Sequence, residues 1–260
     1  MHHDYMDKFA HGQSPIHALD ARVKLLMVVL YTVALISVER HQVAALAPLA
    51  VGPVAMMLLG RIPLRFALKR VVLLSPFVLT LCLFQPVYLR QPMPVQFGPW
   101  QFALAEGWLV AADMAGKFAL GLLALTALMC TTSFASLLGA LRNLRVPRML
   151  VMMLGFLYRY LFVLLDEAMR IRRGRDFRGA NLAPVSRRLL AVGAIVGGLF
   201  LRTFERGERI HLAMSTRGFD GVPRTLEHPH LHRADGVFLA CSFLYIVGAW
   251  LYAWCLTRSA

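Results

Sequence analysis

Apolar residues gather into seven runs along this chain, at roughly 23–38, 43–60, 71–89, 108–138, 149–165, 189–201 and 236–257. A run of about twenty apolar residues is long enough to cross a bilayer as a helix. The first two runs, split by "ERHQ" (39–42), predict a pair of spanning helices joined by a tight turn. Pro48 and Pro53 interrupt the second, which a membrane helix tolerates where its neighbours satisfy the freed carbonyls. The third run carries Pro76 and Pro86 and leads into a Pro/Gln-rich loop, "RQPMPVQFGPW". The fourth can span even if it begins as late as Gly116, and the last spans once more from Gly236.

Residues 149–201 do not read as simple spans. Arg159 sits at the middle of one run, and the next is only about thirteen residues long against the roughly twenty required. An arginine at a bilayer centre costs at least ~2.5–3.5 kcal/mol on insertion scales. Long helices lying at the cytoplasmic interface and packed against the bundle are therefore expected here. Within them "AVGAIVGG" (191–198) repeats small residues four apart, a spacing that lets two helix backbones approach closely.

Short loops set the orientation, because basic residues stay on the cytoplasmic side. "RIPLRFALKR" (61–70) holds four basic residues and no acid, whereas "ERHQ" has only Arg40 and the 90–107 loop only Arg90. The N-terminus, 61–70 and 139–148 are thus predicted inside and 90–107 outside, with Trp100 and Trp108 as interface anchors. The fold class expected is an all-α integral membrane protein, with about five transmembrane helices plus a cytoplasmic helical domain. Residues 1–138 would hold a polar N-terminal segment and four spans, 139–233 the cytoplasmic region, and 234–260 the final span and tail.

Composition fits this reading. Of 260 residues 58% are hydrophobic and 16% charged, and the mean hydropathy is +0.59. No soluble domain of this length hides so much apolar surface. The opening "MHHDYMDKFAHGQSPIHALD" is polar and does not read as a cleavable signal. The net charge of +14 argues for topology and for contact with membrane lipid, not for nucleic acid as the main partner. Cys82, Cys130, Cys241 and Cys255 lie in or beside apolar runs without metal-ligand spacing and read as packing residues.

Seventeen of the 28 basic residues fall in 139–233. If 166–178 is a helix, Ala168, Ile171, Arg175 and Arg178 share one stripe, and in 204–217 so do Ile210, Ala213, Met214 and Arg217. Each stripe runs apolar and finishes in arginine. Gly179 and Gly218 follow at once, where a helix C-cap favours a residue free to take positive φ. A cation there suits the negative end of the helix dipole, which alone accounts for an ordinary helix end. Two such ends in one region predict more. An arginine fork presented end-on can bind carboxylate or carbonyl on a partner, and the adjacent glycine lets that partner come close.

"HALDARVKLL" (17–26), "RNLRVPRMLVMMLGFLYRYLFVLLDEAMRIRRGRDFRG" (142–179) and "RGERIHLAMSTRGFDG" (206–221) resemble the transmembrane T component of energy-coupling factor (ECF) transporters. The opening "DYMDKFAHGQSPIHALDARVKLL" is similar to the cobalt and nickel branch, the CbiQ proteins. The resemblance implies a non-catalytic subunit in the bacterial inner membrane. It would bridge two cytoplasmic ABC-type ATPase subunits and a substrate-capture membrane subunit for Co²⁺ or Ni²⁺. ATP would be hydrolysed on the partners, and no cofactor or metal would be held by this chain. The family's Ala-Arg-Gly type triplets map onto Phe177-Arg178-Gly179 and Thr216-Arg217-Gly218, both without the usual first alanine. Arg178, Gly179, Arg217 and Gly218 are then the docking residues, supported by Arg175, Ala213 and Met214.

Other features weigh less. "MHH", His11, His17 and "EHPHLH" (227–232) read as solvated or turn histidines before metal ligands, and "FLYRYLF" (156–162) as packing surface. Asp113 and Lys117, four apart, read as a helix-stabilising pair, and Glu167, Glu205 and Glu208 as local ion-pair partners. The competing class is a self-sufficient secondary permease, which should carry ionisable groups near the bilayer midplane, and this chain has few. A lipid-phosphate enzyme would need a carboxylate or metal constellation that is absent from the pattern. No "GxxxxGK[ST]" occurs either.

Overall fold

A computed structural model of the chain describes residues 12, 14–38, 45–89, 92–97, 100–177, 184–221 and 232–259. Among these, eight helices carry nearly everything: α1 (Ala21–Ser37), α2 (Leu46–Leu59), α3 (Leu64–Tyr88), α4 (Glu106–Thr131), α5 (Phe134–Asn143), α6 (Arg148–Phe177), α7 (Val185–Thr216) and α8 (Arg233–Ser259). The chain divides into two compact units, Met1–Ala140 with Pro229–Ala260, and Leu141–His228.

It is an all-α membrane protein apart from one small ribbon. Among the described residues four helices are long and apolar enough to cross a bilayer: Leu64–Tyr88, Glu106–Thr131, Arg148–Phe177 and Arg233–Cys255. This set differs in membership from the spans expected from the apolar runs. With 17 and 14 residues, α1 and α2 rise only ~25 and ~21 Å, short of the roughly 30 Å hydrocarbon core. By length and composition α6 joins the set instead, because the run at 149–165 and the charged stretch after it form one unbroken helix.

Two further differences have local causes. The run at 108–138 is two helices, α4 and α5. They part at Thr132 and Ser133, where the Ser133 hydroxyl accepts the Ser136 amide at 3.2 Å as an N-cap. The loop read at 90–107 contains an antiparallel ribbon, β1 (Pro92–Phe97) paired with β2 (Trp100–Ala105), with Gln96 opposite Gln101. Its sequence signal is the Gly-Pro pair between two six-residue stretches.

In the first unit the core is built from Leu35, Leu49, Met57, Ala127 and Leu128, all almost fully buried. Lipid is as apolar as leucine, so helix association here relies on close packing and polar ties. Both are visible. Gly107 lets α4 start against the end of α3, where a Cβ would lie 2.4 Å from the Pro86 Cα. Pro53 has no N–H to give the Leu49 carbonyl, and the Tyr31 hydroxyl of α1 donates to that carbonyl at 3.0 Å. The Gly52 amide donates to the Tyr245 hydroxyl of α8 at 2.9 Å, and that hydroxyl donates in turn to the Pro48 carbonyl. Two tyrosines therefore mend the proline-broken ladder of α2.

Lysines fasten α1 and α4 at both ends. The buried Lys24 ammonium of α1 donates to the Thr131 carbonyl closing α4 (3.0 Å) and to the His17 carbonyl (3.3 Å). Conversely, Lys117 of α4 donates to the Val38 carbonyl closing α1 at 2.6 Å and pairs with buried Asp113 at 2.8 Å. Each helix thus ends on a cation borne by its antiparallel neighbour, the sign its dipole favours. Asp235 in the first turn of α8 accepts the Asp20 amide at 2.9 Å and the His232 amide at 2.8 Å, which fixes α8 to the N-cap of α1.

Candidate functional site

The second unit is dominated by α6 and α7, 30 and 32 residues long. Straight helices of that length reach ~45 and ~48 Å. They can carry a displacement from one end to the other. Their charged ends are the residues singled out from sequence.

The end of α7 is well defined. The Phe219 amide donates to the Met214 carbonyl and the Gly218 amide to the Ser215 carbonyl, both at 3.0 Å. This is the two-bond Schellman closure, in which the residue after the C-cap must turn left-handed. That residue is Gly218, at φ +73°, and no atom lies within 4 Å of where its Cβ would be. Arg217 is the C-cap itself, at φ −88°, and both residues are exposed. Ala213 is exposed and Met214 half-buried on the same end. The closure folds Phe219 back toward Met214, and both line one groove. An arginine therefore projects from a stopped helix with an open, side-chain-free glycine next to it.

At the other end, Arg175 closes the last turn of α6 and its guanidinium pairs with Asp176 at 3.1 Å. Its Nε is buried without a hydrogen-bond partner. Phe177, the last residue of α6, is 90% exposed, an apolar ring presented at a helix tip. Arg178 and Gly179 lie outside the described residues.

Glu167 joins the two helices. Its carboxylate is almost buried and accepts from Arg170 on its own helix and from Arg202 of α7 at 2.5 Å. Sequence reasoning expected only local pairing for Glu167; the partner 35 residues away came from the crossing of two helices, which no spacing reveals. A groove of about 590 Å³ opens beside this contact, lined by Met152, Phe156, Tyr160 and Leu164 of α6 and by Thr203, Ile210 and Met214 of α7. The stretch before Glu167 thus faces the stretch after Arg202, so the helices pass in opposite directions. Their C-terminal ends lie on opposite arms of the crossing. Phe177 is ten residues beyond Glu167 and Arg217 fifteen beyond Arg202. At 1.5 Å per residue the two ends stand up to roughly 37 Å apart.

The remaining candidates fall elsewhere. Asp113 and Lys117 form the ion pair their spacing predicts, inside the first unit. His17 shares a hydrogen bond with Ser14 at 2.7 Å. Of "EHPHLH" only His232 is described, and "MHH" and His11 lie outside the described residues. Among the described residues no three His, Cys, Asp or Glu side chains gather where a metal could be held.

Comparison with known proteins places this geometry in context. The family described as Cobalt transport protein, CbiQ, matches residues 12–229. The chain is 28% identical over 225 residues to the energy-coupling factor transporter transmembrane protein EcfT of Bacillus subtilis, covering 82% of this chain and 84% of that one. It is 30% identical over 241 residues to EcfT of Leuconostoc gelidum, covering 86% and 87%. It is also 30% identical over 154 residues to a putative fused cobalt transport protein, CbiMQ, of Methanocorpusculum labreanum, covering 58% of this chain and 26% of that longer protein.

Proposed function

From the premise that the chain belongs to the CbiQ family, the transmembrane T components of energy-coupling factor transporters, we propose that it couples a pair of cytoplasmic ATPases to a membrane subunit that captures Co²⁺ or Ni²⁺. The observation that carries this reading is the end of α7, where exposed Arg217 follows directly into left-handed Gly218. A socket lined with carboxylate or carbonyl oxygens accepts such a fork bidentately, and glycine leaves room for the socket wall. The helix ends on opposite arms suit two separate ATPase protomers, one tip for each, with Phe177-Arg178-Gly179 and Thr216-Arg217-Gly218 as the docking triplets.

The chain contributes no hydrolytic chemistry in this scheme. Nucleotide binding draws the two ATPases together, each gripped tip follows its protomer, and the long helices transmit that motion toward the capture subunit. Desolvating an arginine in a groove is favourable only when it is well paired, and removing one partner of such a pair costs about 2–5 kcal/mol. In this scheme α6, although long and apolar enough to cross, lies at the cytoplasmic interface, so that the N-terminus, the basic turns at 61–70 and 139–148 and the helix tips share the side of the ATPases in a bacterial inner membrane.

Affinity purification of the tagged chain from its native membranes tests the proposal. Two ATPase protomers and a small integral membrane protein should accompany it, and the assembly in vesicles should accumulate Co²⁺ or Ni²⁺ only with ATP. A homogeneous oligomer that moves solute without nucleotide would overturn it.

A further inference from the structure

We infer that the Glu167–Arg202 contact is the pivot that sets the spacing of the two coupling-helix ends, which makes Glu167 a positioning residue for energy transfer; this rests on the coupling reading above. Glu167 is almost buried while Arg170 and Arg202 are largely exposed. A carboxylate in that setting is held by its hydrogen bonds, and each of its oxygens has one: Oε2 from Arg170, Oε1 from Arg202. The Arg170 bond lies within α6 and fixes the carboxylate's direction. The Arg202 bond crosses to α7 and fixes the point at which the helices meet. On the arm that holds the start of α6 and the end of α7, the two helices face each other across the groove.

Lever arms make that point matter. The α6 end lies ten residues and the α7 end fifteen residues from the pivot, or ~15 and ~22 Å. A turn of only 10° about the contact carries the ends by roughly 2.6 and 4 Å, as large as an entire hydrogen-bond length. Two tips that must enter two sockets at once are sensitive to such a shift, because the second engagement depends on the geometry left by the first.

The test uses the full chain assembled with its ATPase and capture subunits, with native cysteines replaced and spin labels placed through Gly174→Cys, which is exposed with open space around it, and Ser215→Cys. Glu167→Gln and Arg202→Gln are each expected to broaden or shift the label-to-label distance by several ångströms. They should also lower metal uptake per ATP hydrolysed at least fivefold, while Arg202→Lys, which keeps a donor cation, retains most of both. A merely structural role would lower the yield of folded complex without changing the distance or the coupling ratio in what remains. An unchanged distance and ratio in both variants overturns the inference. Arg217→Ala, measured alongside, separates the two levels: if it loses the ATPases while Glu167→Gln changes nothing, the coupling reading stands and the pivot falls. If Arg217→Ala also keeps them fully coupled, both fall together.

Discussion

The Lys24 ammonium donates to the Thr131 carbonyl 3.0 Å away, so a charge buried in the first helix closes the end of the fourth. The carboxylates of Asp235 and Asp20 lie near enough to attract the same ammonium. Lys24→Met removes the donor to the Thr131 and His17 carbonyls and takes away a cation that both acids attract. Hydrogen bonds from a charged group contribute about 1.5–3 kcal/mol. The unfolding midpoint in mild detergent should fall markedly for Lys24→Met and much less for Lys24→Arg. Equal midpoints for wild type and Lys24→Met would show the contact to be idle.

The tyrosine repair of α2 gives a second expectation. Tyr245→Phe deletes the hydroxyl between the Gly52 amide and the Pro48 carbonyl, and Tyr31→Phe deletes the donor to the Leu49 carbonyl. Tyr31→Phe leaves a buried carbonyl unsatisfied, at a cost of about 1–3 kcal/mol, and Tyr245→Phe, which frees half-buried groups, should cost less. Gly52→Ala should destabilise as well, since its Cβ would lie 2.9 Å from the Tyr245 ring. Combining it with Tyr245→Leu should remove most of that additional loss. Thermal unfolding of the single and double variants measures the coupling directly, and strict additivity would contradict the packing described.

Much of this was legible in the sequence, and the reasons are physical. Long apolar runs report membrane helices because they must satisfy every backbone group internally, and Pro48 and Pro53 already announced that α2 needs donors from its neighbours. What stayed hidden is what depends on three-dimensional neighbours. Nothing in "LDEAMR" separates a Glu167 paired only with Arg170 from one that also reaches Arg202. Likewise Lys24 reads as one basic residue near the start of a span until α4 is packed beside it. At the end of α7, Thr216-Arg217-Gly218 could be picked out by its residue types, and Gly218 does adopt the left-handed turn expected of it.

That turn leads to a third expectation. At φ +73° alanine is strained where glycine is not, by about 1 kcal/mol. Gly218→Ala should fray the last turn of α7, raise hydrogen exchange at the Gly218 and Phe219 amides, and weaken ATPase association several-fold. Gly218→Asn, better suited to this conformation, should lie between. An unaltered exchange pattern with lost association would place the effect in the socket and not in the helix end.

The central claim is that the arginine tips are the handles by which ATPases drive this subunit. Its most direct test is the Arg178→Ala/Arg217→Ala double variant, compared with wild type for co-purifying ATPase and for ATP-dependent metal uptake. The account predicts that the chain still reaches the membrane folded, that ATPase recovery falls at least tenfold, and that uptake is abolished. Full recovery of the ATPases together with wild-type uptake would contradict it.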